Sequence, residues 1–222
     1  MHSVTHYIQF IENTPIHSKT YRISSRQTEI LKTEIDKILR HKIIEIGDLD
    51  CTSPMILVEV AGRDPRPYTD YRKLNKLTKT QFFSLPNTEQ REETVAAAKY
   101  ISVLHLRKGY WQIPLTPNSQ RLVTFVTSFG TFRPLRMPFD LKNAPFTFSK
   151  ITAEILHACE YFAVPYLGNV SIYCNSWEEH RNNMNGIFTK IKDAGLTIKP
   201  IKWKFAQDRF KSHCRSWYKN TL

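Results

Sequence analysis

The stretch "AVPYLGNVSIYC", residues 163–174, decides the fold of this chain because it contains two apolar runs that flank a turn. The pair Gly168 and Asn169 lies between the runs, and Gly-Asn is among the two-residue pairs that favour the tight turns of β-hairpins. We therefore predict two antiparallel strands that fold back on each other across Gly168 and Asn169. Such a turn satisfies the backbone while carrying no carboxylate side chain.

The segments around this hairpin alternate between helical and extended patterns. Apolar residues recur at helical spacing in residues 24–39, 144–162 and 176–198. The first of these segments opens with a capping-box pattern of Ser24 and Gln27. Runs rich in β-forming residues occupy residues 53–60, 100–106 and 122–137, and the last run contains a turn at Phe129 and Gly130. These patterns predict an α+β fold in which antiparallel hairpins are backed by helices.

The composition points to a globular, basic chain. Apolar residues make up 41% and charged residues 23% of the 222 residues, which argues against a disordered or fibrous chain. This length suits one domain or two lobes that share a core. The formal net charge of +12 indicates nucleic acid or an anionic surface as a partner, although a merely basic soluble protein would have the same composition.

The cysteines and the amino terminus bear on the cellular compartment. Cys51, Cys159, Cys174 and Cys214 lie far apart without a C-x-x-C pair, so we expect reduced thiols. The opening "MHSVTHYIQF" lacks the pattern of a secretory signal, and no apolar run is long enough to span a bilayer. We therefore expect an intracellular protein without a membrane partner, in either the cytoplasm or the nucleus.

Six blocks carry a resemblance to a known family. In chain order they are "TYRISSRQTEILKTEIDKILRHKIIE" (20–45), "DYRKLN" (70–75), "HLRKGYWQIPL" (105–115), "FVTSFGTFRPLRMPFDLKNAPFTFSK" (125–150), "VPYLGNVSIYCNSWEEH" (164–180) and "AGLTIKPIKWKFAQ" (194–207). Together they resemble the reverse transcriptase domain of gypsy-type long-terminal-repeat retrotransposons and their retroviral relatives. The chain is thereby identified as a degenerate copy of that domain.

The resemblance implies a right-hand polymerase fold with fingers and palm subdomains over residues 1–210. The fingers would comprise about 1–85 and 113–150, and the palm about 86–112 and 151–210, with an antiparallel palm sheet backed by helices. The thumb is expected to be mostly missing, and residues 211–222 form a divergent basic tail. "DYRKLN" is expected as a basic fingers strand.

The family's activity, RNA-directed DNA polymerase, depends on two Mg²⁺ ions held by three aspartates. The resemblance places His105, Gly168 and Asn169 at those three positions. Histidine prefers other metals, glycine has no side chain, and asparagine offers only a neutral oxygen, so we expect no metal site, no cofactor and no catalysis. Asp140, which replaces a glycine of the family's nucleotide motif, is expected to crowd the pocket and not to restore a metal ligand.

Five other residues match the family's nucleotide-binding positions: Arg66, Arg72, Tyr110, Phe139 and Asn143. Arg66 would contact the triphosphate, and Tyr110 falls where a bulky residue excludes the ribose 2′-hydroxyl. Tyr110 and Trp111 taken alone would suit core aromatics better, and the surrounding "KGYWQI" favours the nucleotide position. The fingers loop before Arg66 is about two residues shorter than the family's, and Pro65 and Pro67 are expected to constrain a strand that normally pairs as a hairpin.

Lysines complete the candidate sites. Lys73, Lys76, Lys202 and Lys204 suit an RNA/DNA hybrid or a single strand, although a solvated charged face would look the same. Three functions remain open: an inactive relic or domesticated copy that binds nucleic acid, a structural or protein-partner subunit, and an active polymerase with unconventional ligands. The first is favoured and the third least favoured, because all three ligands are replaced. The sequence leaves the oligomeric state open.

Overall fold

A computed structural model describes residues 5–12, 14–47, 51–59, 62, 65–82, 95, 97–166 and 168–208. The chain divides into two compact units. The amino-terminal unit comprises Ser3–Gln81 and Tyr110–Pro145. The hairpin unit comprises Phe82–Gly109 and Phe146–Leu222, together with Met1–His2.

Each of the two units contains helices and strands among its described residues. The helices are α1 (Ser25–Arg40), α2 (Arg72–Leu77), α3 (Pro117–Leu122), α4 (Ala144–Ile155) and α5 (Trp177–Asp193). Short 3-10 helices cover Gly109–Gln112 and Pro200–Lys202. The strands are β1 (Ile44–Ile46), β2 (Ser53–Val58), β3 (Arg66–Thr69), β4 (Tyr100–His105), β5 (Phe125–Thr127), β6 (Gly130–Pro134), β7 (Ala163–Tyr166), β8 (Asn169–Cys174) and β9 (Lys204–Asp208). None of the helices described is both long and apolar enough to cross a membrane.

The amino-terminal unit is built around helix α1. The predicted capping box is present, since the Ser24 hydroxyl accepts from the Gln27 amide at 3.2 Å and the Gln27 side chain accepts from the Ser24 amide at 3.0 Å. The buried face of the helix packs into a core of Leu31, Ile35, Ile44, Met55, Phe125 and Phe132. This packing confirms the periodicity of residues 24–39.

The sheet of this unit has the strand order β1-β6-β5-β2-β3. The predicted hairpin of residues 122–137 is confirmed as β5 and β6, but the predicted turn at Phe129 and Gly130 is wrong by one position, because Gly130 pairs with Thr127 and is the first residue of β6. The prolines expected to constrain the fingers strand do not prevent its pairing, because β3 pairs with β2 from Val58↔Arg66 to Met55↔Thr69, with Pro67 opposite Leu57. Among the described strands β3 is the last in the sheet, where the missing N–H of a proline can face away from the ladder.

The prediction that "DYRKLN" forms a strand is wrong, because Arg72–Leu77 is helix α2. Tyr71 and Leu74 are both about 1% exposed, and the Tyr71 hydroxyl donates to the Val123 carbonyl at 2.8 Å. Residues three apart share a face of a helix but lie on opposite faces of a strand. Burying both side chains on one side therefore selects the helix.

The hairpin unit contains an antiparallel sheet in the order β7-β8-β4-β9. On one face, Ile101 and Val103 pack with Val164 and Tyr173. On the other face, the Ser102 hydroxyl lies 2.8 Å from Nε2 of His180, a residue of α5. The sheet is thus backed by α5, as the helical periodicity of residues 176–198 predicted.

Candidate active site

The turn of the opening hairpin lies one residue earlier than the sequence suggested. Strands β7 and β8 pair Tyr166 with Asn169, so Asn169 is the first residue of β8 and does not lie in the turn. Gly168 has φ +92°, in the left-handed region that favours glycine. The prediction that Gly168 and Asn169 form the turn pair is therefore wrong by one position, because Gly168 is the last residue of the turn before β8.

Strand β4 brings the first candidate position next to this turn. His105 lies directly opposite Asn169 in the β4–β8 register. Its Nδ1 is 2.9 Å from the Asn169 side-chain Oδ1. The amide of Leu106 donates to the Gly168 carbonyl at 2.8 Å. The structure therefore assembles His105, Gly168 and Asn169 at one end of the sheet.

This assembly contains hydrogen-bond donors and acceptors but no carboxylate. An amide oxygen only accepts hydrogen bonds, so Nδ1 of His105 is the donor to Oδ1 of Asn169. Residue 168 contributes no side chain, and the Asn169 oxygen is already bonded to His105. In the part of the chain that the structure describes, no group of three or more histidine, cysteine or acidic side chains is placed to hold a metal ion.

The nucleotide-binding candidates all belong to the amino-terminal unit. Tyr110 lies in the 3-10 helix Gly109–Gln112, and its ring centroid is 5.5 Å from that of Phe139. The Trp111 ring is 5.7 Å from the same phenylalanine. Phe139 is 40% exposed, so this aromatic cluster of Tyr110, Trp111 and Phe139 reaches solvent.

Asn143 is buried and its amide is engaged with backbone. Its Nδ2 donates to the Lys79 carbonyl at 2.8 Å, and its Oδ1 accepts from the Gln81 amide at 3.1 Å. These two bonds hold residues 79–81 against the start of α4. A nucleotide contact by Asn143 stays a prediction, and its amide already has a structural role.

Arg72 is held by a neighbouring acid. Its Nε and Nη2 donate to the two Asp70 carboxylate oxygens at 2.8 and 2.7 Å, and the Tyr21 hydroxyl donates to the same carboxylate at 2.8 Å. The hydrogen bonds from Arg72 keep the pKa of Asp70 well below its usual range. Arg66, by contrast, is an exposed residue at the start of β3. The two arginines thus lie in different surroundings.

The candidate lysines are divided between the two units. Lys73 and Lys76 are exposed on α2 and, three residues apart, lie on one face of it. Lys202 is exposed in the 3-10 helix Pro200–Lys202, and Lys204 is partly buried at the start of β9, opposite Val103. The tail of residues 211–222 lies outside the described residues.

Sequence reasoning missed one contact that shapes the candidate nucleotide site. The Asn75 side chain donates to the Asp140 carbonyl at 2.8 Å and accepts from the Lys142 amide at 2.9 Å. Asn75 and Asp140 are 65 residues apart in the chain. No local pattern signals this contact. The contact between Asp70 and Arg72 could have been predicted from the sequence, because an aspartate side chain commonly forms a hydrogen bond with the backbone two residues further along the chain.

The sequence matches the family described as "Reverse transcriptase (RNA-dependent DNA polymerase)" over residues 61–213. Among curated proteins it is similar to the retrovirus-related Pol polyprotein from transposon 297 of Drosophila melanogaster, with 29% identity over 91% of this chain and 20% of the polyprotein. The Pol polyprotein from transposon gypsy of the same organism is 24% identical over 93% of this chain and 21% of its own length.

Solved structures show the same fold. The prototype foamy virus protease-reverse transcriptase CSH mutant superimposes with a TM-score of 0.82 at 22% identity, over 91% of this chain and 27% of that one. The foamy viral protease-reverse transcriptase in complex with an RNA/DNA hybrid gives 0.81 at 18% identity, over 98% of this chain and 31% of that one. These neighbours confirm the α+β, right-hand polymerase fold class.

The chain spans about a fifth of the length of the curated relatives it matches. The family match nevertheless covers more than half of this chain, and the Drosophila relatives are Pol polyproteins of transposons that include gypsy. The chain therefore belongs to the reverse transcriptase family, in the branch formed by retrotransposon Pol polyproteins.

Proposed function

We propose that this chain is a retrotransposon-derived, reverse-transcriptase-like domain that binds nucleic acid and does not polymerise DNA. One observation carries the proposal: the hydrogen bond between His105 and Asn169, which joins the side chains at two of the three positions expected to hold catalytic aspartates. The third position, Gly168, has no side chain. A hydrogen-bonded pair without a carboxylate thus stands at two positions where the family's chemistry needs negative charge.

The family's Mg²⁺ ions do not fit these residues. Magnesium requires near-octahedral oxygen coordination, usually from carboxylates that also balance its charge. His105 offers an imidazole nitrogen, and the only side-chain oxygen among the three residues, that of Asn169, is bonded to His105. We therefore derive no step of phosphoryl transfer from this site.

We further propose that the hairpin unit is the palm and the amino-terminal unit is the fingers. The expected palm segments, 86–112 and 151–210, have nearly the same residue ranges as the segments Phe82–Gly109 and Phe146–Leu222 of the hairpin unit. The expected fingers segments, 1–85 and 113–150, likewise have nearly the same residue ranges as the segments of the amino-terminal unit. Agreement to within five residues at each internal boundary supports the assignment.

Nucleic-acid binding is proposed on charge. The net charge of +12 has to be balanced by a partner or by solvent ions, and Arg66, Lys73 and Lys76 are exposed in the proposed fingers. Foamy viral protease-reverse transcriptase, a structural neighbour, has been solved with double-stranded DNA and with an RNA/DNA hybrid. Either duplex is therefore a suitable probe.

Two other functions are less favoured. A structural or protein-partner subunit would need no nucleic acid, and a binding measurement separates it from the proposal. An active polymerase would need a new set of metal ligands. Asp140 alone cannot supply it, because one carboxylate gives too few oxygen ligands and too little negative charge to hold two Mg²⁺ ions.

Primer extension tests the proposal directly. We expect no product from the purified chain on a primed RNA template with Mg²⁺ or Mn²⁺, because the site lacks carboxylates. An active retroviral reverse transcriptase serves as the positive control. Template-length DNA that appears only with the purified chain would contradict the proposal.

The variant His105→Asp/Gly168→Asp/Asn169→Asp extends the same assay. Gly168 has φ +92°, where an aspartate costs about 1–2 kcal/mol of backbone strain. Restored carboxylates would therefore have to act from a turn whose backbone suits glycine. We expect the triple variant to remain inactive, and extension by it would show that only the metal ligands were missing.

A further inference from the structure

Asp140 is held in a backbone conformation that few side chains adopt. Its φ is +66°, in the left-handed region where asparagine and aspartate are the commonest residues after glycine. The Asn75 amide fixes this turn on both sides, by donating to the Asp140 carbonyl and accepting from the Lys142 amide. The position of residue 140 is therefore defined by side-chain contacts as well as by the chain.

This turn places residue Asp140 next to the aromatic cluster of Tyr110, Trp111 and Phe139. Phe139 precedes Asp140 directly and packs against both other rings, at 5.5 and 5.7 Å. The charge of Asp140 reaches the phenol of Tyr110, whose pKa is raised by burial and, in addition, by Asp140. Partial burial raises the pKa of Asp140 itself.

The lysines and arginines described around this turn do not neutralise the charge of Asp140 by forming an ion pair with it. Lys142, two residues on, donates from Nζ to the Thr78 carbonyl at 3.1 Å. Arg72 is bound by Asp70. Within the described residues, no lysine or arginine forms an ion pair with Asp140.

We propose that Asp140 makes the aromatic cluster of Tyr110, Trp111 and Phe139 reject anionic ligands and thereby excludes nucleoside triphosphates. This inference rests on the proposed function in one respect, that the chain is a reverse-transcriptase-like domain in which Tyr110 and Phe139 match the family's nucleotide-binding positions. It is independent of the metal positions. The chain has accordingly lost substrate binding by a second route, in addition to the replacements at His105, Gly168 and Asn169.

Charge alone can produce a large effect here. Like charges within a Debye length, about 10 Å at 0.1 M salt, repel each other, and a triphosphate carries several negative charges. Removal of the Asp140 charge should therefore tighten triphosphate binding by about tenfold or more at low salt. Added salt should reduce the difference, because exposed charges are screened.

Equilibrium binding of a labelled deoxynucleoside triphosphate tests the proposal. The variants are Asp140→Asn, which removes the charge at nearly constant shape, and Asp140→Gly, which also relieves the backbone. Both residue types tolerate a positive φ, so both variants should fold. The matched control is Asp36→Asn, an exposed position on α1 of the same unit that changes the net charge by the same amount.

We expect both Asp140 variants to bind at least tenfold more tightly than the natural chain and the Asp36→Asn control to bind like the natural chain. Equal binding by all four proteins, or no measurable binding by any, would overturn the proposal. An equal gain in Asp36→Asn would overturn it as well, because the effect would then be one of net charge. Primer extension by the natural chain would contradict both the proposed function and this exclusion, because extension requires triphosphate binding. Equal binding by all four proteins would overturn the exclusion alone and leave the proposed function standing.

Discussion

At the scale of single residues, His105 and Asn169 remove a repulsion that two carboxylates would create. Side chains directly opposite on antiparallel strands lie about 5 Å apart, where like charges destabilise the pair. A polymerase site tolerates such a pair because metal ions lie between the charges. The bond between Nδ1 of His105 and Oδ1 of Asn169 joins the two strands here without a carboxylate.

The double variant His105→Asp/Asn169→Asp should make stability depend on divalent ions. In EDTA we expect the free energy of unfolding to fall by about 1–2 kcal/mol, because the variant removes the hydrogen bond and adds a repulsion. Part of this decrease should be reversed in millimolar Mn²⁺ or Mg²⁺, because an ion that binds only the folded state stabilises it. Urea unfolding with and without metal measures both effects.

A matched control is His157→Asp/Asn182→Asp, which makes the same residue changes at exposed positions of the hairpin unit. We expect its stability to respond little to metal. If the His105→Asp/Asn169→Asp chain were as stable in EDTA as the natural chain, the bond between the two side chains would have no role in holding β4 to β8.

Sequence reasoning at this scale found which residues matter but not how each is used. His105, Gly168 and Asn169 were identified by resemblance, and their identities alone exclude a carboxylate. The hydrogen bond between His105 and Asn169 joins positions 64 residues apart, and the engagement of Asn143 with backbone joins segments 62 to 64 residues apart. Neither contact leaves a local pattern.

At the scale of elements, His180 joins helix α5 to strand β4. Its Nε2 pairs with the Ser102 hydroxyl, which also accepts from the Ala206 amide at 2.9 Å. The imidazole is fully buried among the rings of Tyr100, Trp177 and Phe205. Within the described residues its Nδ1 has no hydrogen-bond partner. One histidine thus connects α5, β4 and β9.

The burial of His180 should make the hairpin unit sensitive to acid. Burial lowers its pKa from the ordinary value of 6.5, so below about pH 6.5 the unfolded chain binds a proton that the folded chain resists. The contribution of His180 to the free energy of unfolding is therefore present at neutral pH and is lost as the pH falls. We expect the urea midpoint of the natural chain to decrease between pH 7 and pH 5.

The variant His180→Gln separates this effect from other titrations. Glutamine can still bond Ser102 but does not titrate, so the decrease between pH 7 and pH 5 should be smaller than in the natural chain. His157→Gln, at an exposed position, should leave the decrease unchanged. An unaltered pH dependence in His180→Gln would assign the acid sensitivity elsewhere, for example to His6, whose pKa burial lowers to about 4.

Elements with strong periodicity were predictable, and those that depend on a single buried pair were not. Helices α1, α4 and α5 follow from apolar residues repeated over at least three turns. Helix α2 has only six residues, and burial of Tyr71 with Leu74 decides it. A segment this short has almost no helical stability of its own, so tertiary packing overrides the local pattern.

At the scale of the whole molecule, the charge predicts how the chain should behave with nucleic acid. Association with an RNA/DNA hybrid should weaken steeply as salt rises, because binding releases counterions from the phosphates. The variant Lys73→Ala/Lys76→Ala should bind more weakly and reduce the salt slope by about 2, since each lysine that neutralises a phosphate adds about one to the slope. Fluorescence anisotropy over a salt series measures both quantities.

The matched control is Lys32→Ala/Lys37→Ala, which removes the same charge from α1, where these lysines pair with Glu29 and Glu34. We expect it to keep the salt slope of the natural chain. A flat slope in the natural chain would favour the protein-partner function, and equal weakening in both variants would show that net charge governs binding.

The amino-acid sequence by itself determined the family, the basic charge and the lack of carboxylates at positions 105, 168 and 169, because these properties depend only on which residues are present and in what order. Only the tertiary structure decided that His105 bonds Asn169, that Asn75 holds Asp140 beside an aromatic cluster, and that "DYRKLN" is helical. Each of these depends on side chains from segments distant in the chain, and the free energy of such contacts exists only once the chain has folded.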